Sequence, residues 1–174
     1  TGESSDGVNP KQGLTMWGRL YKLVLDKNNM MAGKLELVAE GDSNPGKNLI
    51  NPDNVSVTEN YVYIQEDGDS YYSAAAHDSY IWQFNIGTKQ YKPWLNMRNN
   101  DSSMKAYNPL TTKFGAWEFG AMEDISDIVG VPGTFMVNIH SHTWQNDKFK
   151  NADGAGVNTN KEGGQVVIIR NVQR

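Results

Sequence analysis

Alternating apolar and polar residues dominate this chain, and that pattern predicts β-strands rather than helices. The strand-like segments are rich in β-branched and aromatic residues, and Gly, Asn and Asp residues separate them as turns. One helix-like segment, Met122–Gly130, is predicted to form a single turn that ends at Gly130. The predicted strands lie at Arg19–Asp26, Lys34–Gly41, Asn54–Glu59, Tyr61–Asp67, Tyr80–Gly87, Gln90–Met97, Ala116–Met122, Thr134–Trp144 and Gly163–Arg170.

The spacing of these segments predicts an all-β fold built from antiparallel, four-stranded blades of a partial β-propeller. Residues 50–97 hold four strands in about 48 positions, close to the ~40–50 residues of one blade. Two strands precede them and three follow, as parts of two further blades. Because closed propellers have at least about four blades, we expect a fragment of a larger propeller. A compact β-sandwich is the alternative. Residues 1–15 are predicted to be a flexible arm, and residues 16–174 a single β domain.

Composition excludes several functional classes. The 174 residues are 38% hydrophobic, enough for a core, and the net charge of -4 without a Lys/Arg block disfavours a nucleic-acid partner. The chain has no Cys, so disulfides and thiolate metal sites are excluded. No apolar run approaches the roughly 18 residues needed to cross a bilayer, so no membrane insertion is expected.

A hairpin with polar ends carries the first candidate ligands. Asp53 and Asn54 follow Pro52, which is typical of an Asx-turn but also offers oxygen donors to a hard cation. Glu66 and Asp67, with Asp69 just beyond them, repel one another unless they are solvated or neutralised by a cation, so an exposed turn and a cation site both remain open. In an antiparallel hairpin these ends share one edge of the sheet, where a shared cation is plausible.

A second candidate site lies downstream. Strict alternation places Ala116, Glu118, Gly120 and Met122 on one face, and the small neighbours leave room beside the Glu118 carboxylate. Asn138, His140 and His142 also alternate, so all three project from one face of their strand. Two histidines at i and i+2 can bind a transition metal, although cross-strand hydrogen bonds are an equally ordinary role. His77 is predicted to be a loop residue, and most of the five Trp residues are predicted to be core.

Two stretches resemble one protein family. Asn51–Gly68, with the sequence NPDNVSVTENYVYIQEDG, resembles a segment of the bacterial PhoX-type alkaline phosphatases and their phytase-like β-propeller relatives. There, Pro-Asp-Asn-Leu/Val opens an inner strand, and the next strand runs into an acidic Asp-Gly turn. Trp117–Trp144 is similar to the family's Glu-containing strand, short acidic turn and following strand. His140 stands where the family has Gln, and no residue matches the family's metal-binding Cys.

This resemblance implies a calcium- and iron-dependent hydrolase of phosphate esters that is secreted to the periplasm or the cell exterior. Its partners would be a small phosphate ester and either the rest of the propeller or a second chain. A non-catalytic extracellular ligand- or sugar-binding β module is the alternative function. The implied roles fall on eight residues: Glu66, Glu118, Asp53, Asn54 and Asp67 as metal ligands, His140 as the catalytic group, and Asn138 and His142 as substrate-binding groups.

Overall fold

The computed structural model describes residues 15–68, 76–99, 114–145 and 162–174. Within these ranges the chain forms antiparallel strands and one single-turn helix, so the predicted all-β, antiparallel class is confirmed. The predicted helical turn ends as expected, with Gly130 in the left-handed conformation. It begins later than predicted, at Ser126, because Met122–Asp124 complete the preceding strand. The elements are β1 (Arg19–Leu25), β2 (Gly33–Glu40), β3 (Pro52–Val57), β4 (Tyr61–Glu66), β5 (Tyr80–Asn85), β6 (Tyr91–Asn96), β7 (Glu118–Asp124), α1 (Ser126–Val129), β8 (Phe135–Gln145) and β9 (Glu162–Ile169).

Three sheets divide the strands in chain order. The first sheet holds β1 and β2, the second β3 to β6, and the third β7 to β9. Every pairing joins strands that are consecutive in the chain, and a short polar turn favours this where one connects them. Between β3 and β4, for example, the Thr58 amide donates to the Tyr61 carbonyl at 2.8 Å. The grouping into two, four and three strands is the one that the spacing predicted.

The second sheet lies between the other two and is covered on both faces. Ile64, Trp82 and Phe84 pack with residues of the first sheet, whereas Tyr63 and Ile81 pack with Phe135 and other residues of the third sheet. Successive residues of a strand point to opposite faces, so β4 and β5 contribute to both cores. Stacked sheets occur both in propeller blades and in layered sandwiches, and closure of a propeller therefore stays a prediction.

Residues near both ends of the described chain pack into the β domain. Thr15, the last residue of the predicted arm, is buried, and its hydroxyl donates to Asp42 Oδ1 at 2.8 Å. Val172 is buried in the core beside the third sheet, and Tyr63 Oη donates to the Gln173 carbonyl at 2.7 Å. No helix in the described ranges has the length and hydropathy of a membrane span.

Candidate metal centre

One carboxylate and two imidazoles converge on the surface of the third sheet. The antiparallel register pairs Glu118 of β7 directly with His140 of β8. Glu118 Oε1 lies 2.7 Å from His140 Nδ1 and 3.2 Å from His142 Nε2. One potential ligand atom from each residue lies within 4.8 Å of the other two. The same-face placement of His140 and His142 that alternation predicted brings both rings to Glu118.

A β-bulge in β7 shapes this site. Phe119 pairs with Ile139 but Met122 pairs with Val137, so β7 carries one extra residue between them. Phe119 and Met122 consequently both lie in the core. The prediction that Met122 shares a face with Glu118 was therefore wrong, because strict alternation does not hold across a bulge.

Gly120, within the bulge, keeps space open beside the site. A Cβ atom on this residue would lie 2.8 Å from Asn138 Nδ2 and 3.0 Å from His140 Nε2. Asn138 Nδ2 itself lies 3.4 Å from His140 Nε2. Asn138 therefore contacts the ring nitrogen of His140 that faces away from Glu118, and an amide can orient the ring from that side.

The surroundings of Glu118 favour its ionised form. Burial raises the pKa of this carboxyl, but hydrogen bonds with Asp67, His142 and His140 outweigh the burial and hold the pKa below its usual value. The Glu118 side chain is 16% exposed, whereas the His140 and His142 side chains are 47% and 49% exposed. An ionised, partly sheltered carboxylate between two accessible imidazoles is a suitable environment for a cation.

Asp67 links this cluster to the second sheet. It follows β4, and its side chain hydrogen-bonds with Glu118 of the third sheet. Its position is held by Asn51, whose carbonyl accepts from the Asp67 amide at 3.1 Å and whose amide group donates to Asp67 Oδ2 at 3.4 Å. Two carboxyl groups in contact require a shared proton or a neutralising cation.

Glu66, predicted as a ligand, has different surroundings. Its side chain is fully buried, and its oxygens accept from Ile50 N at 2.7 Å, Tyr80 N at 2.7 Å and Trp82 Nε1 at 2.6 Å. Burial raises its pKa to about 8, although these three N–H donors act in the opposite direction. The structure thus brings Glu66 to backbone and indole donors, and not to the Glu118 cluster.

Asp53 and Asn54 lie at the start of β3. Asp53 is exposed, and its Oδ2 accepts a 2.7 Å hydrogen bond from Asn54 Nδ2. A register shift pairs Pro52 with Glu66 and Asn54 with Gln65, which leaves Asp53 as the extra residue. We expected Asp53 and Asn54 to contact the acidic end of β4. The residue that hydrogen-bonds with Asp67 there is Asn51, which the sequence analysis did not single out. Asp69 lies outside the described residues.

His77 has a larger structural role than the predicted loop position suggested. It is buried, and its ring nitrogens face the Asp78 carbonyl at 2.8 Å and the Asn48 carbonyl at 3.2 Å. Its Nδ1 also lies 3.7 Å from Glu66 Oε2. No local pattern indicates the contacts with Asn48 and Glu66, because these two residues lie far from His77 in the sequence.

Comparisons of the chain with protein-family models, with curated proteins and with solved structures gave no match. The resemblance to PhoX-type phosphatases stays a prediction, and the geometry of Glu118, His140 and His142 is the basis for a function.

Proposed function

We propose that this chain binds a divalent transition-metal cation through Glu118, His140 and His142, and that with this metal bound the protein hydrolyses phosphate esters as part of a phosphatase-like β-propeller. The observation that carries the proposal is the convergence of three different donor side chains from two paired strands. The donors come from strands rather than from a loop, so their separation is fixed by the register of the sheet.

The chemical type of the three donor side chains favours some metal ions over others. Two imidazole nitrogens and one carboxylate suit iron, zinc and similar cations, whereas calcium prefers six to eight oxygen ligands. Iron therefore fits this cluster, and calcium would need an oxygen-rich site elsewhere, which stays a prediction. Asp67, through its contact with Glu118, is the nearest additional carboxyl donor.

Three protein ligands leave coordination positions for water and substrate. A metal held there would supply Lewis-acid chemistry, which polarises phosphoryl oxygens and makes water more acidic. Glu118 and the two histidines would hold the cation, and Asn138 would orient His140 through the far ring nitrogen. The exposed side of the two imidazoles gives a phosphate ester access to this centre.

Metal analysis combined with p-nitrophenyl phosphate turnover tests this proposal. We expect about one metal ion per chain, turnover that a chelator abolishes, and loss of both in Glu118→Gln, which keeps the shape but loses the charge. Glu123→Gln is the matched control, because Glu123 is an exposed glutamate of the same strand. Metal binding without turnover would instead support the non-catalytic β module, and a metal-free wild-type protein would refute the metal centre altogether.

A further inference from the structure

An apolar groove lies between the first and second sheets, on the face of the second sheet opposite the metal centre. The cavity has a volume of about 400 Å³. Its walls come from β1 to β5 and from the turn after β5. The apolar lining residues include Leu37, Val55, Val57, Val62, Phe84 and Ile86.

This groove differs from the core by its exposure to solvent. Val57 is 66% exposed and Leu37 is 53% exposed, although both lie beside buried Phe84. Scattered apolar surface residues are ordinary, but a contiguous concave set is a mark of a binding site. The volume falls within the ~300–1,000 Å³ typical of small-molecule sites. A small ligand therefore fits this groove better than a folded partner.

The charged residues of the lining are Lys22, Glu36 and Lys89. Glu36 Oε1 already lies 3.3 Å from Lys34 Nζ, outside the lining. Lys22 is the cross-strand neighbour of Glu36, but in the part of the chain that the structure describes neither Lys22 nor Lys89 lies within salt-bridge distance of a carboxylate. The net charge of the groove lining is thus positive, which favours a ligand with an anionic end.

We infer that this groove binds a fatty-acid carboxylate, with the alkyl chain against the apolar walls and the carboxylate towards Lys22 and Lys89. The apolar chain contributes most of the binding free energy, because each methylene that leaves water for the apolar walls stabilises the complex. The lysines select the sign of the head group. This ligand is independent of the metal centre and of phosphate-ester hydrolysis.

Calorimetric titration with sodium dodecanoate, below its micelle concentration, tests the inference. We expect one site per chain, and a loss of affinity of about tenfold or more when both Lys22→Ala and Lys89→Ala are introduced, or when the probe is dodecyltrimethylammonium. Val57→Ser should also weaken binding severalfold. Because Val57 is largely exposed, this change leaves no internal cavity and the fold is expected to survive.

Two matched variants serve as controls. Val166→Ser changes a valine of β9 that is also 66% exposed but lies outside the groove, and Lys27→Ala removes a lysine that does not line it. Both should bind dodecanoate as the wild type does. Absence of dodecanoate binding, equal affinity for the cationic probe, or equal losses in the control variants would each overturn the inference. So would a dimer in sedimentation that Val57→Asp dissociates, since a second copy would then be the occupant.

Discussion

Glu66 and Glu118, both predicted as metal ligands, have opposite surroundings. Three N–H donors surround the buried Glu66 carboxylate, whereas two imidazoles and Asp67 surround that of Glu118. Burial dominates at Glu66 and raises its pKa, while hydrogen bonding dominates at Glu118 and lowers it. Carboxyl groups whose environments shift their pKa values in opposite directions are suited to different roles. Glu66 holds backbone together, and Glu118 is available to a cation.

The raised pKa of Glu66 predicts a pH-dependent stability. With a folded-state pKa of about 8 against an ordinary value of 4.5, the folded protein binds this proton more tightly than the unfolded chain. The contribution is complete below about pH 4.5 and is lost as the pH rises through 8, at no more than about 1.4 kcal/mol per pH unit. Urea unfolding of the wild type and of Glu66→Gln between pH 5 and 8 measures this contribution to the free energy of unfolding.

The informative quantity in that experiment is the slope of the free energy of unfolding against pH. Absolute values are less informative, because Glu66→Gln also loses an acceptor for the N–H groups and is less stable at every pH. The wild-type free energy of unfolding should fall relative to that of Glu66→Gln as the pH rises. Parallel curves for the two proteins would contradict the prediction.

At the scale of elements, the bulge in β7 connects packing to the metal centre. It sends Phe119 and Met122 into the core and leaves Gly120 beside Asn138 and His140. A side chain at position 120 would push these two residues out of place. The glycine is therefore a positioning residue for the ligands.

Gly120→Ala is expected to weaken metal binding about tenfold while the melting temperature of the metal-free protein stays nearly unchanged. The added methyl group meets two polar side chains at the site, 2.8 and 3.0 Å away, rather than backbone. Metal titration and thermal unfolding measure the two effects. Gly164→Ala on the adjacent β9 is the control, because its Cβ would have only an ordinary 3.6 Å contact with the Ile139 carbonyl. Equal metal affinity in both variants would refute the role of Gly120.

The elements were largely predictable from the sequence, but their exact pairing was not. Alternation identified the strands and the shared face of His140 and His142, because side-chain direction has a period of two. Bulges at Asp53 and in β7 escaped prediction, since one inserted residue depends on packing that local pattern does not encode. The contact of Glu118 with both histidines likewise depends on the register between two strands.

At the scale of the whole molecule, the metal centre lies at the junction of two sheets. Glu118 belongs to the third sheet, and Asp67, which hydrogen-bonds with it, follows β4 of the second sheet. A cation at this position would neutralise both carboxyl groups. Metal binding at this site would therefore be coupled to the cohesion of the two sheets.

Saturating metal is expected to raise the melting temperature. At 100 times Kd, binding to the folded state adds about 2.7 kcal/mol to the free energy of unfolding, which corresponds to roughly 5–10 °C for a domain of this size. Asp67→Asn should reduce this rise, whereas Asp53→Asn, at the exposed start of the same hairpin, should not. Calorimetric scans with metal and with chelator measure the difference. An identical rise in the two variants would remove Asp67 from the centre.

The double coverage of the second sheet has a consequence for motion. The backbone amides of β4 and β5 lie between two cores, so we expect their exchange with solvent hydrogen to require unfolding of the whole domain. The hairpin of β1 and β2 packs only through its base near Leu20 and Ala39, and its outer half is largely exposed. It can therefore open locally, which would remove one wall of the apolar groove while β7, β8 and their imidazoles remain in place.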